Sequence, residues 1–522
     1  MTEWWRGAVI YQVYPRSFRD ADGDGVGDLR GLLAGLDHVA SLGVDALWLA
    51  PVYASPQADF GYDVADHCAV DPAYGTLEDL DAVIAGAHAR GLRIMLDLVT
   101  GHTSVAHGWF RESRARRDGP LADRYVWADP RPDGGPPNNW LSVFGGPAWR
   151  WEPRRRQYYL HHFLAEQPAL NLEDPATMDA VAGVMRFWLA RGVDGFRLDA
   201  LDFLAHDPAL RDNPPAPPKP ETPSKLFGMQ LHQFDMMGQA TPAILRRLRQ
   251  EAGEAALLGE LSSQPGAHAR VARATAPGLL HMAYTLAPLR GVFDHAVARG
   301  LVEAAANPDG WPCWSFSNHD VVRAASRWAP GGKPDPRVTR LLLALLLTLR
   351  GSACLYQGEE LGLPEAELPF EALRDPFGIS FWPEFAGRDG SRTPMPWRRA
   401  APHAGFTTGT PWLPVPAAHE ALAVEAQAAD PGSVLHFCRA LLASRRQRPA
   451  LVSGALERID LPAPLLGFDR VAGGDRVRCL FNLSAEAVAV PPLLAGGAVL
   501  PGCPVAPAGA SLPAWGVAMA AG

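Results

Sequence analysis

Short apolar runs recur along the chain with amphipathic stretches between them, and this alternation limits the fold more than any other feature. The runs are "AVIYQVYP" (8–15), "GVDALWLAPV" (43–52), "GLRIMLDLV" (91–99), "GVDGFRLDA" (192–200), "AALLGEL" (255–261), "WPCWSFSNHD" (311–320) and "SACLYQGEEL" (352–361). Segments such as "LRGLLAGLDHVASL", "MDAVAGVMRFWLAR" and "RVTRLLLALLLTLR" precede them with helical spacing. Uninterrupted apolar strands separated by helices build a parallel sheet covered on both faces. With one more strand expected near "LLHMAYTL" (279–286), the sixth in order, they predict an α/β protein with a closed (β/α)8 TIM barrel.

The spacing is uneven. A long segment follows strand three, and 104–170 is expected to fold as an inserted subdomain. The Pro-rich "DNPPAPPKPETPSKL" (212–226) reads as an extended, mobile excursion after strand four, and another insertion follows strand eight near 364–400. All three lie on the C-terminal face, where barrel active sites are built. From about 445 the pattern turns to short β-like runs such as "LLGFDR" and "DRVRCLFNLS". The expected domains are therefore 1–103 with 171–444 (barrel), 104–170 (insert) and 445–522 (C-terminal, β-sandwich-like).

Composition excludes several classes of function. The net charge of −8 argues against a nucleic-acid partner, which needs a basic face. No run of 18 apolar residues is present, and "LLLALLLTL" (341–349) reads as a buried helix, so no membrane partner is expected. Six scattered cysteines, Cys503 among them, lack CxxC spacing and read as unbridged thiols of a reducing compartment. The N-terminus has no basic-then-apolar leader, and a cytoplasmic location is expected. The chain is expected to be a monomer or a small homo-oligomer.

"GVDGFRLDA" poses the chemical question. Arg197 and Asp199 stand two apart, so a strand points both the same way, into the barrel. Burying charge costs several kcal/mol per ion unless the charge is paired or used. Other strand ends bring Asp59 and Tyr62, Asp97 and His102, Glu260, and His319 with Asp320. A cluster of carboxylates raises at least one pKa, and a neighbouring pair is the equipment of retaining glycoside hydrolysis. Each feature alone has a plainer reading: an ion pair, a core histidine, a helix cap. Their joint occurrence at successive strand ends points to catalysis.

"YQVYPRSFRDADGDGVGDLRG", "GYDVADH", "GFRLDA", "FSNHD" and "GRDGSRTPMPW" together resemble glycoside hydrolase family 13, the α-amylase family, especially its bacterial α-glucosidases and oligo-1,6-glucosidases. The resemblance implies Asp199 as nucleophile, Glu260 as general acid and base, and Asp320 as transition-state stabiliser. It implies Arg197 as the partner that keeps Asp199 ionised. It places Asp59, Tyr62, His102, His319 and Arg392 around one glucose, with Phe144 and Phe163 as walls and Gln167 nearby. The implied activity is exo-acting hydrolysis of maltose-like α-glucosides, with transglucosylation. The alternatives are an α-glucosyltransferase, a sucrose or maltose isomerase and, lacking chemistry altogether, a family-like binding protein.

In the loop "DADGDGVGD" (20–28), Asp20, Asp22, Asp24 and Asp28 alternate around Gly25, as in the first part of an EF-hand, with the Val26 carbonyl as a further ligand. A structural Ca²⁺ or Mg²⁺ is expected there; the other reading is a solvated Asx-turn loop. No organic cofactor is expected. The chain departs from the family at Gly101, where many members carry Asn, so the family's calcium between barrel and insert is not carried over. Ala200 follows the nucleophile position, and the resemblance links a small residue there to α-1,4 action.

Overall fold

The structure, a computed structural model, describes residues 3–218, 220–289, 291–490, 498–499 and 511–521. Eight parallel strands form the central sheet: β1 (Val9–Val13), β2 (Ala46–Leu49), β3 (Arg93–Leu98), β4 (Gly195–Leu198), β5 (Ala256–Leu261), β6 (Met282–Thr285), β7 (Cys313–Ser315) and β8 (Ser352–Tyr356). Each pairs with its neighbour, β1 with β8, and an isolated bridge between Ala283 and Pro312 joins β6 to β7 and closes the ring. The expected TIM barrel is present, including its sixth strand.

The outer helices include α1 (Leu29–Leu42), α2 (Leu77–Ala89), α3 (Pro175–Ala190), α4 (Thr241–Ala252), α5 (Ala267–Ala274), α6 (His295–Ala306), α7 (Pro336–Thr348) and α8 (Val434–Gln447). Local chemistry starts several of them. Asp28 caps α1, Thr76 and Asp79 form a capping box on α2, and Asp174 caps α3 ahead of Pro175. Their apolar faces and the outward strand residues form one large core. Inward residues form a second, with Ile10, Ala46, Trp48, Met95, Leu258, Met282, Tyr284 and Cys354. The strand period of two then carries Gln12, Asp97, Arg197 and Glu260 to the same inner side, one layer nearer the C-terminal mouth. Gly195 makes room below them: a Cβ there would lie 2.7 Å from the Ala256 carbonyl oxygen.

Between β3 and α3, Trp127–Ala128, Trp149–Glu152 and Gln157–Leu160 form a three-stranded antiparallel sheet. It packs around its own core of Val126, Trp140, Trp149 and Leu160. The excursion after β4 is tied to this insert where it begins, at residues 211–213, and again at Gln230. Asp212 accepts from the Asn139 N–H at 2.9 Å, Asn139 Nδ2 donates to the Asn213 carbonyl, and Trp140 Nε1 donates to that of Arg211. At the other end, α8 runs through residue 445, and the change from helix to strand falls at Ala455. Five antiparallel strands follow as one C-terminal sheet, including Leu465–Ala472, Asp475–Asn482 and Val517–Ala521. Cys68, Cys313, Cys354 and Cys438 are unbridged thiols; Cys503 lies outside the described residues. Among the described residues no helix is long and apolar enough to cross a membrane.

Candidate active site

Parallel register brings the site together. Asp97 on β3 is the partner of Arg197 on β4, and Glu260 on β5 is the partner of Tyr284 on β6. All four side chains face the barrel axis, and Arg197 is completely buried. Its guanidinium holds three carboxylates: Asp97 at 2.8 and 3.0 Å, Asp199 at 2.7 Å, and Glu260 through Nη2. One cation facing three anions settles what the inward arginine is for.

The anions are not equivalent. Asp97 also accepts from the Tyr62 hydroxyl at 3.0 Å and Trp48 Nε1 at 3.3 Å. Burial pushes Asp97 up to about 7, yet its ring of donors favours the ionised form. Burial raises Asp199, and Arg197 opposes the rise. Burial pushes the Glu260 carboxyl up to about 7; Arg197 pulls it down, while Asp199 and Asp320 add to the rise. Burial also works against ionisation of Asp320, but the cations Arg388, Arg392 and Arg197 outweigh it and hold the carboxyl well below the ordinary range. The site thus sets Glu260, an acid near neutrality, beside the firmly anionic Asp320, a contrast that suits acid-assisted chemistry.

Around this centre the expected binding residues gather. Tyr62 stacks parallel to His319 with ring centroids 5.3 Å apart, and its hydroxyl lies 2.7 Å from His319 Nε2. Burial pushes His319 down to about 3, so the ring is neutral. His102 Nε2 lies 3.0 Å from the Tyr62 carbonyl, and Gln167 Nε2 reaches Asp59 and His102 at 3.2 Å each. Arg392 donates to Asp320 at 2.8 Å and to the His319 carbonyl at 2.7 Å. Phe163 packs against His102, and Phe144 against Phe163. All twelve expected catalytic and binding residues therefore meet at one mouth. A cavity of about 610 Å³ between α7, α8 and Pro513–Val517 contains none of them.

Four further residues join the site. Arg388 donates to Asp59 at 2.7 Å, to Asp375 at 2.7 Å and to Asp320 at 3.2 Å. Gln12 Nε2 meets His319 Nδ1 at 2.8 Å, and Tyr284 contacts both Arg197 and Glu260. Gln12 carried a readable signal, a polar residue inside an apolar strand. Arg388 stood within the quoted "GRDGSRTPMPW". Tyr284 and Asp375 carried none; an inward tyrosine looks like core.

In the 20–28 loop, Asp20, Asp22 and Asp28 bring oxygen atoms within 4.8 Å of one another. Asp24 is not in that group; its Oδ1 accepts the Val26 N–H at 2.7 Å, an Asx turn that draws it aside. Burial, with Asp22, Asp20 and Asp28 nearby, raises the Asp24 carboxyl, a repulsion a cation would relieve. Gly25 (φ +97°) lets the loop dock where a Cβ would sit 1.8 Å from the Thr410 carbonyl oxygen. The oxygen-only donor set fits a hard cation.

A closed barrel thus gathers buried carboxylates around one arginine at its C-terminal mouth, an arrangement that suits glycoside hydrolysis. The model of the α-amylase catalytic domain matches residues 12–454. The chain is 51% identical over 498 residues to a probable α-glucosidase of Rhizobium meliloti (93% of this chain, 90% of that one). It is 34% identical to an oligo-1,6-glucosidase of Heyndrickxia coagulans (94% and 93%). A solved α-glucosyl transfer enzyme, XgtA, superposes with a TM-score of 0.94 at 50% identity, covering 100% of both chains. The chain belongs to the α-amylase family.

Proposed function

We propose that the chain is a retaining, exo-acting α-glucosidase of short α-glucosides, maltose-like and α-1,4-linked first, that also transfers glucose to acceptors other than water. The observation that carries this reading is the single guanidinium of Arg197 gripping Asp199 and Glu260 together. It aims both carboxylates into one pocket, as a nucleophile paired with an acid requires, and the retaining course is what membership of the α-amylase family implies.

The Asp199 carboxylate attacks the anomeric carbon while Glu260 gives its proton to the departing glycosidic oxygen. The resulting β-glucosyl ester is opened by water or a sugar hydroxyl, whose proton returns to Glu260. Asp320, kept anionic by Arg392 and Arg388, stabilises positive charge on the ring and holds its hydroxyls. Asp59, His102, His319 and Gln167 complete the contacts to one glucose, and Phe144 and Phe163 wall it. The insert 104–170 acts as a unit that closes the pocket on that side. Protein groups supply acid, base and nucleophile, so the reaction needs no organic cofactor. Asp20, Asp22 and Asp28 would hold a structural Ca²⁺ or Mg²⁺. The unbridged thiols support a cytoplasmic location.

The likeness to an α-glucosyl transfer enzyme favours a second reading, transfer dominating over hydrolysis. Time-resolved ¹H NMR with maltose, isomaltose and sucrose tests both. α-Glucose released first from maltose supports the α-glucosidase. Faster cleavage of isomaltose overturns the linkage preference, new glucosides without free glucose give the transferase, and silence on all three overturns catalysis.

A further inference from the structure

Tyr284 is buried on β6, opposite Glu260 in the register. Its hydroxyl oxygen lies 3.0 Å from Arg197 Nη2 and 3.2 Å from Arg197 Nε, and 3.0 Å from Glu260 Oε1. Arginine has donors only, so both contacts with it use the lone pairs of the phenol. The one phenolic hydrogen then points at Glu260 Oε1. The hydroxyl cannot rotate away without losing three contacts.

The same inventory applies to Glu260. A carboxylate offers about four lone-pair sites. Oε2 receives Arg197 Nη2 and the N–H of Ala200, the latter at 3.3 Å. Ala200 supplies that N–H from a left-handed conformation (φ 45°, ψ 53°). Oε1 receives the phenol. One site stays open, and it is on Oε1. Resting on the assignment of Glu260 as acid and base, we propose that Tyr284 is a positioning residue that presets Glu260 as a carboxylate-in-waiting and leaves Oε1 as the oxygen that carries, delivers and recovers the proton.

The steps balance. The Oε1–H bond breaks as the proton passes to the glycosidic oxygen, the C1–O bond breaks and Asp199 bonds to C1. In the second half the attacking water gives a proton to Oε1, its oxygen bonds to C1 and the Asp199 ester breaks. Because the phenol, Arg197 and Ala200 already face Glu260, the charge that develops on it meets donors that need not move. The charged and titratable groups facing Glu260 are Arg197 and Asp199 from β4 and its end, Tyr284 from β6 and Asp320 after β7.

Tyr284→Phe keeps the ring and removes the donor, so the neutral form of Glu260 gains. The alkaline limb of kcat/KM for maltose is expected to move up by about half a pH unit or more. Turnover of maltose should fall about tenfold, that of p-nitrophenyl α-glucoside, whose leaving group needs little protonation, under about threefold. An unmoved limb, or equal loss on both substrates, overturns the proposal. Should the variant fail to fold by circular dichroism, 3-fluorotyrosine at 284 replaces it: a stronger donor should move the limb down, and no movement overturns the proposal. Glu260→Gln, run beside them, separates the two readings. If it hydrolyses maltose at the wild-type rate, the acid/base assignment itself fails.

Discussion

Arg388 Nη2 donates to Asp59 Oδ1 at 2.7 Å, joining the loop after β8 to the turn after β2 across the mouth of the barrel. The same guanidinium holds the buried Asp375 and reaches Asp320. Burial raises Asp59, and Arg388 is the first influence to oppose it. One arginine thus keeps the far side of the pocket both assembled and anionic.

Arg388→Ala is expected to destabilise the protein by about 3–5 kcal/mol, because it strands buried carboxylates. Arg388→Lys keeps a charge but loses the fork, and KM for maltose should rise about tenfold with a smaller change in kcat. Thermal melting and steady-state kinetics on the two variants check this.

Asp199→Asn should abolish turnover, by about 10⁴-fold or more, while the fold persists. Arg197 would still be held by Asp97 and Glu260. Matching circular dichroism with lost maltose hydrolysis is the expected pair of results.

The pH profile of kcat/KM should be a bell. Glu260 must be protonated to act, and burial places it at about 7, so activity should fall as pH rises through that value. Asp199 must be ionised, and its raised carboxyl sets an acid limb above the ordinary Asp value of about 4.

His67 and His107 form a neutral pair away from the reaction. His67 Nε2 lies 3.1 Å from the Val99 carbonyl, the two rings meet at 3.4 Å, and His107 Nδ1 accepts the Trp109 N–H. Burial pushes them down to about 4 and about 3. The unfolded chain therefore binds protons that the folded one refuses. Their contribution is intact above the unfolded histidine value of about 6.5 and is lost as pH falls towards 4, at about 1.4 kcal/mol per pH unit for each ring. Urea denaturation at several pH values should show a shallower loss in His107→Gln. The comparison separates the pair from Asp97, Glu260, Glu359 and Glu365, whose raised carboxyls act in the opposite direction.

Chelation should lower the melting temperature and leave kcat at 25 °C unchanged, since the 20–28 loop touches Thr407 and Thr410 rather than the catalytic carboxylates. Melting with EDTA, then with Ca²⁺ or Mg²⁺ restored, checks the site and its metal.

The sequence by itself determined the barrel and most of its site. Period-two strands and capped amphipathic helices are local patterns, and polar residues at strand ends must face one mouth once the ring closes. Arg197, Asp199, Glu260 and Asp320 were legible because charge at an inward position demands a use. Only the tertiary structure decided which groups share which partners. Register set Tyr284 against Glu260 and Asp97 against Arg197, and a loop far along the chain brought Arg388 to Asp59. Asn139 of the insert bonds Asp212 and Asn213, which fixes where the Pro-rich excursion begins. The physical reason is range: periodicity and capping act within a few residues, whereas a hydrogen bond between positions hundreds apart exists only once the barrel has closed around both.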